Sequence, residues 1–409
     1  MISILRAPRS RRAPRRVLLA VEGLGISGKT KALTDLACGL DPDRWRPEVV
    51  CLRREDSPLA GTLERAGVPV HEVPFEDGLD PRNVWRLVGR LRETGPDVVH
   101  CFNPRMMLHG GLAAHLLGIW STVGSLSAFA CQSPERDYDF LPQPLNTATR
   151  RNRYRNRVAV ALMRRLAVVS RGLGEQFFRF NGMPARKMRV IGYGVSVPDL
   201  DDAAADPERA AVRRELRLGP EDVVACSVGR LVEQKDYPTQ LCGFAAAVRR
   251  EPRLTMLLAG DGPLRPALEQ TVRDLGVDDR VRFLGHRADV PRLLRGIDIY
   301  VITSRFEPYG VAVLEAKAAA CAIVATSVNE MPEILSRGAS GVLVPPRDPE
   351  RLADALVTLA RDAALRGRLA RRAHREARDR HSLRVTVDRY QALYDELRGG
   401  MGALTPVPG

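Results

Sequence analysis

The chain has 409 residues, 44% of them hydrophobic and 27% charged, and its 63 Lys and Arg against 49 Asp and Glu leave a formal charge of +14. That length exceeds one comfortable core and implies two globular domains of roughly 180 residues each; no uncharged stretch is long enough to span a membrane. The seven cysteines (38, 51, 101, 131, 226, 242 and 321) are scattered, odd in number and without a C-x-x-C pair, which argues for a reducing cytosol and against a disulfide framework or a zinc site.

Residues 1–16 carry Arg6, Arg9, Arg11, Arg12, Arg15 and Arg16 without an acid, and read as a disordered basic tail. From there strands are expected over 17–21, 48–52, 70–73, 97–101, 122–124, 166–169 and 188–191, alternating with helical stretches. This alternation predicts an α/β domain over 17–197 with a doubly wound parallel sheet. The acidic, Ala-rich, Pro-bounded run Pro198 to Pro207 marks a linker over 198–219. A second α/β domain follows over 220–380, then a closing helix over 381–398 with Leu383, Val387, Tyr390, Leu393 or Tyr394, and Leu397 on one face, and a tail over 399–409.

Four segments of the second half carry chemistry. After the apolar run 223–228 come Gly229, Arg230 and Lys235, two cations just past a strand end, where open α/β sheets bind ligands. Leu257 to Pro263 closes a strand in a tight Gly-Asp-Gly-Pro turn, and Val281 to Gly285 is a further strand. The apolar run 297–303 then leads into Ser304-Arg-Phe-Glu-Pro-Tyr-Gly-Val-Ala-Val-Leu-Glu315. Pro308 and Gly310 break the chain and a helix is expected over 311–320. Glu307 falls on the loop and Glu315 about one turn into the helix. Between them the free N–H groups of Gly310, Val311 and Ala312 form an anion site. Two carboxylates for hydroxyls beside a positive helix start suit a sugar nucleotide, although a lone Glu pair at this spacing is usually solvated surface.

These segments, in this order, resemble the C-terminal half of the retaining GT-B glycosyltransferases of family 4. The resemblance runs from about residue 17 to 397, specific in the second half and looser in the first. It implies a GT-B fold of two Rossmann-like domains facing a central cleft, with the terminal helix crossing back onto the first. It also implies transfer of a sugar from a nucleotide-sugar donor, UDP- or GDP-linked, to a hydroxyl acceptor with retention, without a metal or other cofactor. Arg230, Lys235 and Glu307 are the implied catalytic groups: the two cations on the diphosphate, Glu307 on hydroxyls of the transferring sugar. Glu315 is expected on the nucleotide ribose, Gly229 and the helix start on phosphate, and Ser27-Gly28 in the place of the family's small-residue loop after the first strand. His100, at the end of the fourth strand, is a candidate hydrogen-bond donor to substrate, with Ser125 standing where members often carry a second His. Lys29-Thr30, Tyr193 to Ser196 and Asn329-Glu330 depart from the family pattern.

Other readings compete. Gly23 to Thr30 fits G-x-x-x-x-G-K-[ST] after a strand and would make a P-loop triphosphatase or kinase using Lys29; that enzyme needs an acid at the end of a later strand, and Asp97 stands at the start of its strand, whose end has none. A non-catalytic binder of sugar nucleotides is a further alternative. Asp137-Tyr-Asp139 looks like a metal-binding D-x-D but lacks a preceding strand and reads as a solvated loop. Nucleic-acid binding is disfavoured by 5% aromatics. The arginines of the tail and of Arg150 to Arg157, with Arg164 and Arg165 beside the apolar run 158–163, suggest a cytoplasmic protein docking peripherally on the anionic inner face of the membrane, near a lipid-linked or anionic acceptor. Ordinary solvated charge is the plain alternative.

Overall fold

The computed structural model describes residues 13–25, 27–54, 57–75, 80–126, 147–200, 206–307 and 309–398. The first domain holds strands β1 (Arg15–Gly23), β2 (Trp45–Arg53), β3 (Val70–Glu72), β4 (Val98–Phe102), β5 (Thr122–Leu126), β6 (Arg165–Val168) and β7 (Met188–Val190). They form one sheet in the order β3-β2-β1-β4-β5-β6-β7, all pairs parallel. The connections carry α1 (Gly28–Gly39), α2 (Pro58–Arg65), α3 (Pro81–Thr94), α4 (Pro104–Leu116), α5 (Thr147–Ala161) and α6 (Arg171–Asn181). Local chemistry sets their starts: Ser57, Asp80 and Asn103 each accept a first-turn N–H, followed at once by Pro. Gly95 and Gly182, both left-handed, stop α3 and α6.

Alternation along β1 divides the core. Val17, Leu19 and Val21 pack with α1 and α2, while Leu18 and Ala20 pack with α3, α4, α5 and α6, so both faces of the sheet are covered.

The second domain comprises α7 (Pro207–Glu215), β8 (Val223–Val228), α8 (Tyr237–Arg250), β9 (Leu254–Ala259), α9 (Arg265–Asp274), β10 (Val281–Gly285), α10 (Val290–Arg295), β11 (Ile299–Ile302), α11 (Val311–Ala318), β12 (Ala322–Thr326), α12 (Met331–Ile334), β13 (Val342–Val344), α13 (Pro349–Arg361) and α14 (Ala363–Arg380), and α15 (Leu383–Arg398) follows it. Its sheet is parallel in the order β10-β9-β8-β11-β12-β13. Although last in the chain, α15 completes the first domain: Val387, Tyr390, Leu393, Tyr394 and Leu397 join the core around β1 and Trp45. Where the chain crosses between domains, Val195 N–H donates to His381 O and Leu383 N–H to Val195 O, both at 2.9 Å.

Two expectations need correction. Arg15 and Arg16 are not tail: they open β1, because Asp395 meets the Arg15 guanidinium at 2.7 Å and Asp97 accepts the Arg16 N–H at 2.9 Å. The stretch 198–219 is not all linker. It carries α7, whose Arg209 and Arg213 both pair with Asp298 and whose Val212 is buried in the second core. No helix among the described residues is long and apolar enough to cross a membrane.

Candidate functional site

In the second sheet the chain runs outward from β8 through β9 to β10 and then returns to β11 on the other side of β8. Such a reversal leaves a crevice outside the carboxyl ends of the two strands, and the loops after β8 and β11 form its walls. The first wall carries Gly229, Arg230 and Lys235. It is braced by the turn after β9, where side chains would not fit: a Cβ on Gly260 would lie 1.9 Å from Gly229 O, and one on Gly262 2.5 Å from Leu231 O. Leu231 N–H donates to Asp261 O at 3.0 Å, which fixes the chain on either side of Arg230.

The two walls are stitched together. Gln234 Nε2 donates to Phe306 O at 2.8 Å, Arg305 N–H to Gln234 O at 2.9 Å, and Thr303 Oγ1 to Lys235 O at 3.0 Å. Across this seam Lys235 Nζ meets Glu307 Oε2 at 2.5 Å. The structure therefore brings Lys235 and Glu307 together as one charge-assisted pair, with Glu307 only 8% exposed. Arg230, on the loop that walls the crevice, is exposed, and its guanidinium makes no hydrogen bond or ion pair to any described residue, so its five donors are uncommitted.

Gly310, at φ 77°, caps α11 in the left-handed conformation, and no side chain caps the first turn; its Cβ would also lie 2.7 Å from Met331 Cε. Pro308 lies outside the described residues. The N–H groups of Val311 and Ala312 are left uncapped at the positive end of the helix. One turn on, burial pushes the Glu315 carboxyl up, Lys31 opposing and Asp35 adding to the shift. Those two residues belong to α1, where they pair at 2.7 Å, so Glu315 faces the first domain across the cleft.

The first-domain candidates divide. Ser27 Oγ caps α1, accepting the Thr30 N–H at 3.2 Å and lying 2.8 Å from Thr30 Oγ1, while Gly28 has open space where a Cβ would stand. His100 is a correction. Its ring has no exposed surface, Nδ1 lies 2.7 Å from Tyr394 Oη and Nε2 2.6 Å from Ser125 Oγ. Burial lowers its pKa to about 3, so it is a neutral clamp on α15, and Ser125 is engaged with it. The P-loop reading fails on geometry: β4 ends at Phe102 without an acid, and Asp97, at the opposite end of that strand, binds Arg16 and Arg398. Among the described residues no group of three or more His, Cys, Asp and Glu is placed to hold a metal. Asp137 and Asp139 lie outside them.

Sequence reasoning missed Asn329 as a site residue. Its Oδ1 accepts the Glu307 N–H at 3.1 Å, from a backbone at φ 45° that Asn tolerates better than most residues. Beside it Glu330 reaches the first domain, since a Cβ on Gly172 would lie 2.2 Å from its Oε1. The departure from the family pattern at these two positions was the available signal.

Comparison with known proteins bears on both halves. The family described as "Glycosyl transferases group 1" matches residues 222–362, and the "Glycosyl transferase 4-like domain" matches 27–194. The chain is 27% identical over 328 residues to the alpha-D-kanosaminyltransferase of Streptomyces kanamyceticus, covering 77% of this chain and 81% of that protein. It is 34% identical over 256 residues to the D-inositol 3-phosphate glycosyltransferase of Saccharomonospora viridis, covering 60% and 57%. In structure it resembles Anabaena Alr3699/HepE, solved in complex with UDP, with a TM-score of 0.76 at 22% identity, covering 94% of this chain and all of that one. At that identity the likeness shows the GT-B fold.

Proposed function

We propose that this chain, which belongs to the group 1 glycosyl transferases, uses the second-domain crevice to hold a nucleoside diphosphate sugar and transfers the sugar to a hydroxyl acceptor with retention of configuration. The observation that carries this reading is the convergence on one crevice of the uncommitted Arg230, the Lys235–Glu307 pair and the uncapped start of α11. As the sugar leaves, negative charge grows on the diphosphate. Arg230 meets it with a forked pair of N–H donors, Lys235 as a point charge, and Val311 and Ala312 with backbone N–H groups already in place. Glu307, held by Lys235 and Asn329, accepts hydroxyls of the transferring sugar. Glu315, half-buried one turn along α11, accepts those of the ribose. The donor is UDP-linked in this reading, supported by the UDP and UDP-glucose complexes of Alr3699/HepE, and the cations balance the leaving-group charge without a metal.

The acceptor side belongs to the first domain, and we place it beside anionic membrane. Every exposed large apolar side chain among the described residues lies in that domain. Trp85, Leu112, Leu116, Trp120 and Tyr154 sit on or just beyond α3, α4 and α5, one helical layer that also exposes Arg82, Arg151 and Arg155. Cations and aromatics on one face suit a lipid interface.

A thermal-shift panel of UDP, GDP, ADP and their sugars tests the donor reading, since a bound donor stabilises by mass action; no shift with any of them defeats it. Arg230→Ala is expected to abolish transfer at saturating acceptor while Lys29→Ala costs far less. The opposite ranking would move the chemistry to the loop before α1. Sedimentation with anionic vesicles at low and high salt tests the membrane face, and absence of binding at low salt would remove it.

A further inference from the structure

The first sheet also reverses, between β1 and β4, and the crevice there is an open pocket of about 450 Å³. Its wall carries Lys29, Arg53 and Arg105 with a single carboxylate, Glu22. That carboxylate is already taken, by Arg105 Nη1 at 3.1 Å and Asn103 Nδ2 at 2.9 Å. The side chains of Lys29 and Arg53 make no hydrogen bond or ion pair to any described residue. Three cations against one acid leave two positive charges in excess among the described lining residues, beside the start of α1. Leu52 and Phe75 give the pocket an apolar side, and the Arg105 guanidinium lies 5.3 Å from the Phe75 ring centroid, which fixes where it points.

Backbone strain sits at the same place. Asn103 is held at φ 140°, ψ 163°, a region almost confined to glycine and costly for any other residue. Its side chain serves both the Met106 N–H, at 2.8 Å, and Glu22. The strained residue thus holds the acid aside and leaves the two cations uncompensated.

We propose that this pocket binds the phosphomonoester of a phosphorylated acceptor. The inference rests on the transferase reading above, whose second crevice already accounts for the donor. A phosphomonoester carries close to two negative charges at neutral pH, which matches the excess; a carboxylate would leave one cation unmet. Lys29 supplies a point charge, Arg53 a planar fork, and the body of the acceptor lies along Leu52 and Phe75 with its hydroxyl toward the cleft. The phosphate belongs either to a soluble sugar phosphate or to a lipid phosphate, and the chemistry of recognition is the same.

The test is titration of the full chain, with UDP saturating, against glucose 6-phosphate, dodecyl phosphate, and the neutral controls glucose and dodecyl maltoside. Lys29→Ala, Arg53→Ala and Arg230→Ala are run in parallel, with thermal melts to verify folding. At least one phosphate is expected to bind more tightly than its neutral control and to lose about 10- to 100-fold in affinity in Lys29→Ala and Arg53→Ala, with little change in Arg230→Ala. Which of the two binds tells a soluble from a lipid source. Equal binding of phosphates and neutral controls overturns the proposal, as does a loss confined to Arg230→Ala. Failure of UDP to bind while the Lys29 and Arg53 effects persist would instead sink the donor assignment and leave this pocket standing.

Discussion

The two sheets share a topology and diverge in charge. Each reverses strand order once, at β1 and β4 in the first and at β8 and β11 in the second, and each reversal opens a crevice. In the second, opposite charges are interlocked: Lys235 on Glu307, Asn329 on the Glu307 backbone, Gln234 on Phe306. In the first, the acid is tied off and cations stand open. One scaffold therefore offers two unlike sites, and the side chains on the loops, not the fold, assign their ligands. The cores differ in the same sense. The second domain buries an ion pair beside its site, whereas the first buries a neutral histidine under α15.

The largest effect that would break this contrast concerns that ion pair. Lys317, on the helix that carries Glu315, is fully buried and reaches Glu376 of α14 at 2.9 Å. Burial would raise the Glu376 carboxyl, but hydrogen bonds from neighbouring serines and Lys317, and the Lys317 charge, hold it down at about 2. Lys317→Met keeps the apolar stem but removes the donor to Ile334 O and the buried cation beside Glu376, which keeps Ser336 and Arg372, so a loss of about 3–5 kcal/mol in denaturant unfolding is expected. Adding Glu376→Gln should recover part of it. Wild-type stability in the single variant would mean that the pair does not hold α11.

Next in size is the donor site. Glu307→Gln keeps the volume and removes the charge, both from the proposed sugar contact and from Lys235. A loss on the order of 1.5–3 kcal/mol is expected, about 10- to 100-fold in rate, whereas Glu315→Gln should act mainly on donor affinity. Parent rates and affinities in both variants would sink the assignment.

Much of that site was legible because its parts follow strands in sequence. An apolar run ending in Gly-Arg, or in Glu-Pro-Tyr-Gly, announces a loop at the carboxyl edge of a sheet before any coordinates exist. What was not legible depends on partners far along the chain. His100 reads as a strand-end donor until Tyr394, 294 residues away, takes its Nδ1. Arg15 and Arg16 read as tail until Asp395 meets the Arg15 guanidinium and Asp97 takes the Arg16 N–H. Asn329 reads as a missing glycine until its side chain is seen on the Glu307 N–H.

His100 also yields a pH dependence of stability. Its pKa falls from 6.5 to about 3 through burial, so below pH 6.5 the unfolded chain takes up a proton that the folded one refuses. The contribution is complete above 6.5 and is lost as pH falls toward 3, at about 1.4 kcal/mol per pH unit. His381, lowered to about 4 chiefly by burial, adds to the same window. Glu376 acts lower, its contribution complete above 4.5 and lost only as pH approaches 2. Stability should therefore fall between pH 6.5 and 4.5, before Glu376 acts, and His100→Gln should flatten that slope. An unchanged slope would mean that the ring is not held neutral.

The smallest effect probes how α15 is fastened. Asp395 meets Arg15 at 2.7 Å and Arg44 at 2.5 Å, Glu396 meets Arg165 and Arg189, and Arg398 meets Asp97. All of these side chains are at least a fifth exposed, so water and salt screen them and each is worth about 0.2–1 kcal/mol. The apolar face of the same helix buries Val387, Leu393 and Leu397, each worth about 1.5–3 kcal/mol. Packing therefore holds α15 and the ion pairs only set its register. Asp395→Asn, which gives up two such pairs, should cost less than about 2 kcal/mol at low salt and almost nothing at high salt, whereas Leu393→Ala should cost about 2–5 kcal/mol at either. A salt-independent loss in Asp395→Asn as large as that of Leu393→Ala would make the arginines of β1 and β6 the true anchor of the helix.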